Sequence, residues 1–237
     1  MKPVGIILVL ALALPRWVLA GSFEVNPVGL RLSAAHATGV VTVSNGSESP
    51  TVVQLQVVTW SQQNGEDVYT PTRNILATPP IFTLPVGGQQ TVRLGVMSKQ
   101  DPKLESAYRL FLQEVPPPNS TGPQGLQVLL RIGIPVFVEP VLATAPTLHW
   151  SARRLSATQI NIDAANDGSA HIQIEKLKLS VNAQAKPLAE GVGGYVLPGT
   201  HASWTLTLAA PLAAGQSVLV TADTDRSTLH VQLVPDG

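Results

Sequence analysis

The sequence predicts an all-β protein made of two consecutive β-sandwiches. Short runs with two-residue alternation recur between turn signals, as they do in sandwiches. Few stretches hold a 3.6-residue apolar period without a Gly or Pro interrupting it, so helices have little support. After Pro140 the texture changes, and a second set of strands begins at Leu148.

The first twenty residues stand apart. MKPVGIILVLALALPRWVLA opens with one lysine, continues as an apolar run and ends in Val18-Leu19-Ala20, with small residues where a signal peptidase reads. Arg16 makes that run too short to span a bilayer comfortably. Residues 1–20 are therefore expected to be a cleaved secretory signal peptide, with the mature chain starting near Gly21. No later segment is long and apolar enough to span, so no membrane insertion is expected after cleavage.

The first sandwich is expected over residues 21–142. GVVTVSNGS ends a strand in an Asn-Gly turn. TVVQLQVVTWSQQNGEDVYTP reads as two strands around Asn64-Gly65, a strong hairpin signal. PPIFTLPVGGQQTVRLGVM gives a short edge strand, a Gly-Gly turn and another strand. SAYRLFLQEVPPP is a strand stopped by prolines, and NSTGPQG is a loop.

GLQVLLRIGIPVFVEP, residues 125–140, follows. One face carries Leu126, Val128, Leu130, Ile132, Ile134, Val136 and Val138, with no charge or amide among them. An ordinary strand runs about five or six residues, and this row is longer. The other face holds Arg131 midway and Pro135 further on. Taken alone, the row is either all core or divided between core and some other task.

VLATAPT reads as a linker, and the second sandwich is expected over residues 143–237. QINIDAAND, HIQIEKLKLSV, GGYVLPGT, SWTLTL, QSVLVTAD and TLHVQLV alternate or are rich in β-branched residues. Trp60 and Trp204 sit in strand patterns and are expected in the cores; Trp150, just after the linker, is expected at the junction.

Composition narrows the function. Of 237 residues, 44% are hydrophobic and 13% charged, which excludes a disordered charged tail. The net charge is zero and no run of Lys and Arg occurs, so a nucleic-acid partner has no electrostatic support. There are no cysteines, which removes disulfides, zinc–thiolate sites and thiol nucleophiles.

The search for chemistry is empty. None of His36, His149, His171, His201 and His230 lies three or four residues from another, so each is expected to be structural or on the surface. No nucleophile elbow or phosphate loop occurs. Asp223 and Asp225 read as a solvated turn, and Asn119-Ser120-Thr121 as a polar loop. No enzyme activity, cofactor or metal is expected, and an interaction protein is the natural reading.

FEVNPVGLRLS, VTVSNGS, VVTWSQQNGEDVY, LATPPIFTLPVGGQQTVRL, ESAYRLFLQEVPP and LLRIGIPVFVEP occur in the order and at about the spacing of periplasmic pilus (fimbrial) chaperones. The chain resembles the archaic branch of that family, and GYVLPGT followed by Trp204 resembles that branch's second domain. The resemblance implies two immunoglobulin-like domains set at an angle, with a cleft between them. It also implies a periplasmic location, pilus subunits lacking their last strand as partners, and delivery to an outer-membrane usher. An alternative is an immunoglobulin-like pilus subunit or adhesin, but such a subunit needs a free N-terminal extension, and this chain enters a strand soon after Ala20.

The mechanism implied is donor-strand complementation, a form of strand addition. Leu126, Val128 and Leu130, with Ile132 as a possible fourth, would fill the subunit's groove, while Ile134 to Val138 stay in the chaperone's own core. Many members also grip the subunit's terminal carboxylate with a basic pair. Here the matching positions are Gly29 and Pro135, so neither is basic. Arg93 and Arg131 are the first substitutes to consider, then Arg31 and Arg109, because a guanidinium can hold a carboxylate with two parallel bonds.

Overall fold

The computed structural model describes residues 23–116, 128–142, 144–183 and 186–236. The expected signal peptide, the loop from Pro117 and the donor candidate Leu126 lie outside them. The described residues form seventeen strands and no helix.

Ten strands build the first sandwich. One sheet has the order β1 (Phe23–Asn26), β3 (Thr38–Asn45), β8 (Gln89–Val96), β6 (Ile75–Thr78). The other runs β2 (Leu30–Ser33), β10 (Arg131–Glu139), β9 (Ser106–Val115), β4 (Thr51–Gln63), β5 (Glu66–Pro71), with β7 (Ile81–Leu84) on the first part of β4. Asn64 and Gly65 both have positive φ, 53° and 80°, as the tight turn between β4 and β5 requires. The chain changes sheets between β1 and β2 at the cis bond Asn26–Pro27, and between β6 and β7 at the cis bond Thr78–Pro79.

Alternation packs the two sheets together. Val41, Val43, Val92 and Leu94 from one sheet meet Leu55, Leu110, Leu112, Ile134 and Val136 from the other, all buried in a single cluster. Removing such a side chain from water is worth about 1.5–3 kcal/mol, and with no cysteine this burial carries the stability.

The second sandwich pairs β11 (Leu148–Ser156), β12 (Gln159–Asn166) and β15 (Thr200–Thr207) with a sheet of order β14 (Ala189–Val196), β13 (Ile172–Ser180), β16 (Val218–Thr224), β17 (Thr228–Leu233). Its core is separate, centred on Ile160, Ile162, Ile174, Leu177, Val218 and Val220.

Trp204 packs on the second core as expected, while Trp60 and Trp150 exchange the expected places. Trp150 stacks on Trp204, with ring centroids 6.2 Å apart, and both pack on the second core. Trp60 is the residue at the junction, buried with Ala107, Phe137 and Leu197 of the second sandwich. Phe137 follows the same logic: it sits on the outer face of β10, yet contact with the second sandwich buries it.

Candidate functional site: an open strand edge above the cleft

Burial changes along the apolar row that runs into β10. Ile134, Val136 and Val138 lie in the first core. Ile132 and Leu130 are partly buried against its rim, and Val128 is 78% exposed. The regular strand starts only at Arg131, although Leu130 still accepts the Glu114 N–H at 2.9 Å.

That bond fixes the direction of every main-chain group on β10. Leu130 turns its main chain toward Glu114, with its N–H donating to Glu114 Oε2 at 3.2 Å, so by alternation Ile132, Ile134 and Val136 also bond toward β9. Arg131, Gly133 and Pro135 then turn their main-chain groups to the opposite edge. There β2 pairs in parallel with Val136–Glu139 only. From Arg131 to Pro135 that edge has no paired strand among the described residues. Pro135 has no N–H, and because it faces this edge, no bond to β9 is lost.

The outer face of the same sheet is not plain. Gly133 leaves room for Phe111: a Cβ there would stand 2.8 Å from the ring. The Phe111 ring meets Tyr69 edge-on at 5.2 Å and carries the Arg131 guanidinium at 4.0 Å.

At its lower end this face meets the second sandwich. Phe137 stacks on His171, with centroids 3.4 Å apart and an interplanar angle of 7°. The buried Glu105 carboxylate accepts the His171 main-chain N–H at 3.0 Å and meets Nδ1 at 2.5 Å. Gln62 spans the junction as well. Its Nε2 donates to Tyr195 O at 2.9 Å, and its Oε1 accepts from Leu197 N and Thr200 Oγ1 at 3.0 and 2.8 Å. Sequence reasoning missed this joint, since Gln62, Glu105, Phe137 and His171 are far apart in the chain. His171 is the structural histidine of the five, and only its partners reveal it.

Two hollows flank the joint and share Tyr195. One, of about 370 Å³, is lined by Gly29, Arg31, Pro135, Phe137 and Asp225 among others. The other, of about 380 Å³, is lined by Trp60, Gln62, Asp67, Arg109 and Trp204 among others. Burial pushes the Tyr195 phenol above its ordinary value, Arg109 and Arg31 pull it down, and Asp225 pushes it up.

The four arginines are separated by this geometry. Arg93 alternates with the core residues Val92 and Leu94, so it points out of the sheet that does not contain β10. Arg131 lies four residues up β10 from Pro135, roughly 13 Å along a strand, on Phe111 rather than in the cleft. These two first choices do not line either hollow. Arg31 and Arg109 do. Arg31 is half-exposed and bonds Asp225 Oδ2 at 3.3 Å, with Glu139 at 3.9 Å. Asp225 is thus more than a solvated turn, since it also accepts the Gln173 N–H at 3.0 Å. Arg109 is 15% exposed and lies over the Trp60 ring at 3.9 Å. Its buried Nε has no hydrogen-bond acceptor among the described residues, and neither has Trp60 Nε1. Arg109 stands directly opposite Pro135 on β9.

Residues 22–143 match the family model described as pili and flagellar-assembly chaperone, PapD N-terminal domain. No curated protein matches the chain by sequence. Among solved structures, a chain of the CsuC–CsuE chaperone–tip adhesion subunit pre-assembly complex, from archaic chaperone-usher Csu pili of Acinetobacter baumannii, superposes with a TM-score of 0.66 at 19% identity, covering 92% of this chain and 100% of that one. The YadV chaperone gives 0.62 at 17% identity, over 90% and 100% of the two chains. A chain of the Salmonella enterica SafA pilin–SafB chaperone complex gives 0.61 at 18%, over 89% and 95%. At these identities the likeness carries the two-domain immunoglobulin-like fold.

Proposed function

The chain belongs to the family of pili and flagellar-assembly chaperones, and from that premise we propose that it captures pilus subunits in the periplasm by lending them β10 and the residues just before it. The observation that supports this reading most is the unpaired edge from Arg131 to Pro135, continuous with an apolar row that emerges from the core. Leu130 and Ile132 at the rim, with Val128 and Leu126 beyond it, fill the groove of a subunit lacking its last strand. Successive residues of the row stand roughly 6.6–7 Å apart, which suits alternate pockets. Each large side chain so transferred contributes about 1.5–3 kcal/mol. Strand pairing adds main-chain bonds and covers an edge that would otherwise aggregate.

The added strand stops at Pro135, because β2 occupies the edge from Val136 onward. A chain end arriving there lies beside Arg109 and Arg31. Arg109 is the better anchor for a terminal carboxylate: it is only 15% exposed, lies over Trp60 and has an unused donor at Nε, whereas Arg31 is half-exposed and already bonded to Asp225. Release to an outer-membrane usher follows, driven by replacement with a more stable strand and without a cofactor. Residues 21–142 form the lending unit and 143–237 close the cleft.

The test is co-expression with the pilin-like products of neighbouring genes, followed by co-purification from periplasmic extracts. A stable one-to-one complex is expected. Export without any such complex would contradict the reading.

A further inference from the structure

In the hollow that holds Arg109, the nearest acid is a residue of this chain. Asp67 Oδ2 lies 4.0 Å from Arg109 Nη2. That is attraction across a gap, longer than a hydrogen bond. Asp67 meanwhile has better partners: the Tyr69 phenol donates to Oδ2 at 2.9 Å, and Gln62 Nε2 donates to Oδ1 at 3.1 Å. The Tyr69 phenol is pushed above its ordinary value by burial first and then by Asp67, in keeping with that bond. Arg109 stacks on Trp60 and also acts on the Tyr69 phenol, partly offsetting that rise, while its Nε is buried and unmatched.

We propose that Asp67 is a built-in stand-in for the partner's carboxylate: it balances the Arg109 charge in the free protein and is outcompeted when a terminal carboxylate bonds the guanidinium directly. This rests on the reading of Arg109 as the anchor.

Three features of the hollow support the exchange. The guanidinium is already desolvated and oriented, so an arriving carboxylate gains two parallel charge-assisted bonds without reordering the arginine. Asp67 keeps its bonds to Tyr69 and Gln62 when Arg109 turns to the new partner, and its side chain, 35% exposed, also keeps contact with water. Asp67 also repels any carboxylate that enters, and Glu66 lines the same hollow. A small free acid therefore binds poorly, while one delivered by a strand already paired to β10 is held by the strand and overcomes the repulsion. Asp67 thus restricts the anchor to carboxylates at the end of an added strand.

The test is an NMR titration of the mature protein, following the Arg109 Nε–H and Trp60 Nε1–H signals. The probe is N-acetylglycine, a main-chain carboxylate, with N-acetylglycinamide as the uncharged control. Asp67→Asn removes the charge and keeps one of the two acceptor oxygens that serve Tyr69 and Gln62; Asp67→Ala is the second variant, and both are checked by thermal melting. The expected result is a dissociation constant for N-acetylglycine lowered roughly two- to fivefold in both variants, the range for a partly exposed charge pair, with no effect of the amide. If Arg109→Gln abolishes acid binding but neither Asp67 variant tightens it, the stand-in role is overturned and the anchor stands. If acid and amide act alike on the wild type, or if Arg109→Gln leaves acid binding unchanged, the anchor assignment fails and the stand-in role fails with it.

Discussion

Gly29 and Pro135 touch where β2 begins beside β10: a Cβ built on Gly29 would stand 3.3 Å from the Pro135 ring. These are the positions where many members of the family carry a basic pair, so here the floor of the cleft is small and apolar. Positive charge is displaced to either side of that contact. Arg109 faces Pro135 from β9, and Arg31 reaches from β2 to Asp225.

Arg109→Gln is expected to reduce subunit capture more than a hundredfold. Breaking a buried ion pair from one side costs about 3–5 kcal/mol. Arg31→Gln should cost less than tenfold, because that side chain is half-exposed and already paired within the chain. Arg93→Gln, on the outer face of the opposite sheet, should leave capture unchanged. Subunit yield in periplasmic extracts, with the melting temperature of each free variant, checks the order.

Much of the first sandwich can be read from local chemistry, and the site much less so. Asn64-Gly65 names its own turn because both residues need positive φ. The row from Ile134 to Val138 announces a core face by alternation alone. Strand β6 is not visible, since four residues ending at Thr78-Pro79-Pro80 give no period to detect. The arginines show the limit more sharply. Alternation assigns Arg93 and Arg109 each to the outer face of a strand, but only the pairing of strands reveals that one outer face meets solvent and the other meets the cleft. Trp60 reads as a core residue from its strand pattern and Phe137 falls on the face opposite the apolar row, but what buries both is a second sandwich whose position no local pattern encodes.

The joint between the sandwiches should contribute measurably to stability. Glu105→Ala leaves the His171 main-chain N–H buried without its acceptor, which costs about 1–3 kcal/mol. Urea unfolding should show this as a lower midpoint, and Glu105→Gln, which keeps an acceptor, should lose less. Equal stability of Glu105→Ala and wild type would count against the joint as described.

Alkaline pH should loosen the same region. The Tyr195 phenol lies above its ordinary value of 10.0, mainly through burial, so the fold favours the neutral form. Its contribution is fully present below that ordinary value and is lost as pH rises through the higher value of the folded state. Tyr195→Phe should therefore flatten the fall in melting temperature above about pH 10. Tyr69 is raised as well and will leave a residual slope in that variant.

The lending of β10 is tested most directly by Val128→Asp. Val128 is 78% exposed in the free protein, so a carboxylate there should shift stability by no more than about 0.5 kcal/mol. In a subunit's apolar groove the same carboxylate costs several kcal/mol. The measurement is subunit recovered with the affinity-purified variant after co-expression, with the melting temperature of the free variant alongside. A wild-type melting temperature and no recovered subunit are expected. Wild-type recovery by a folded Val128→Asp protein would contradict it.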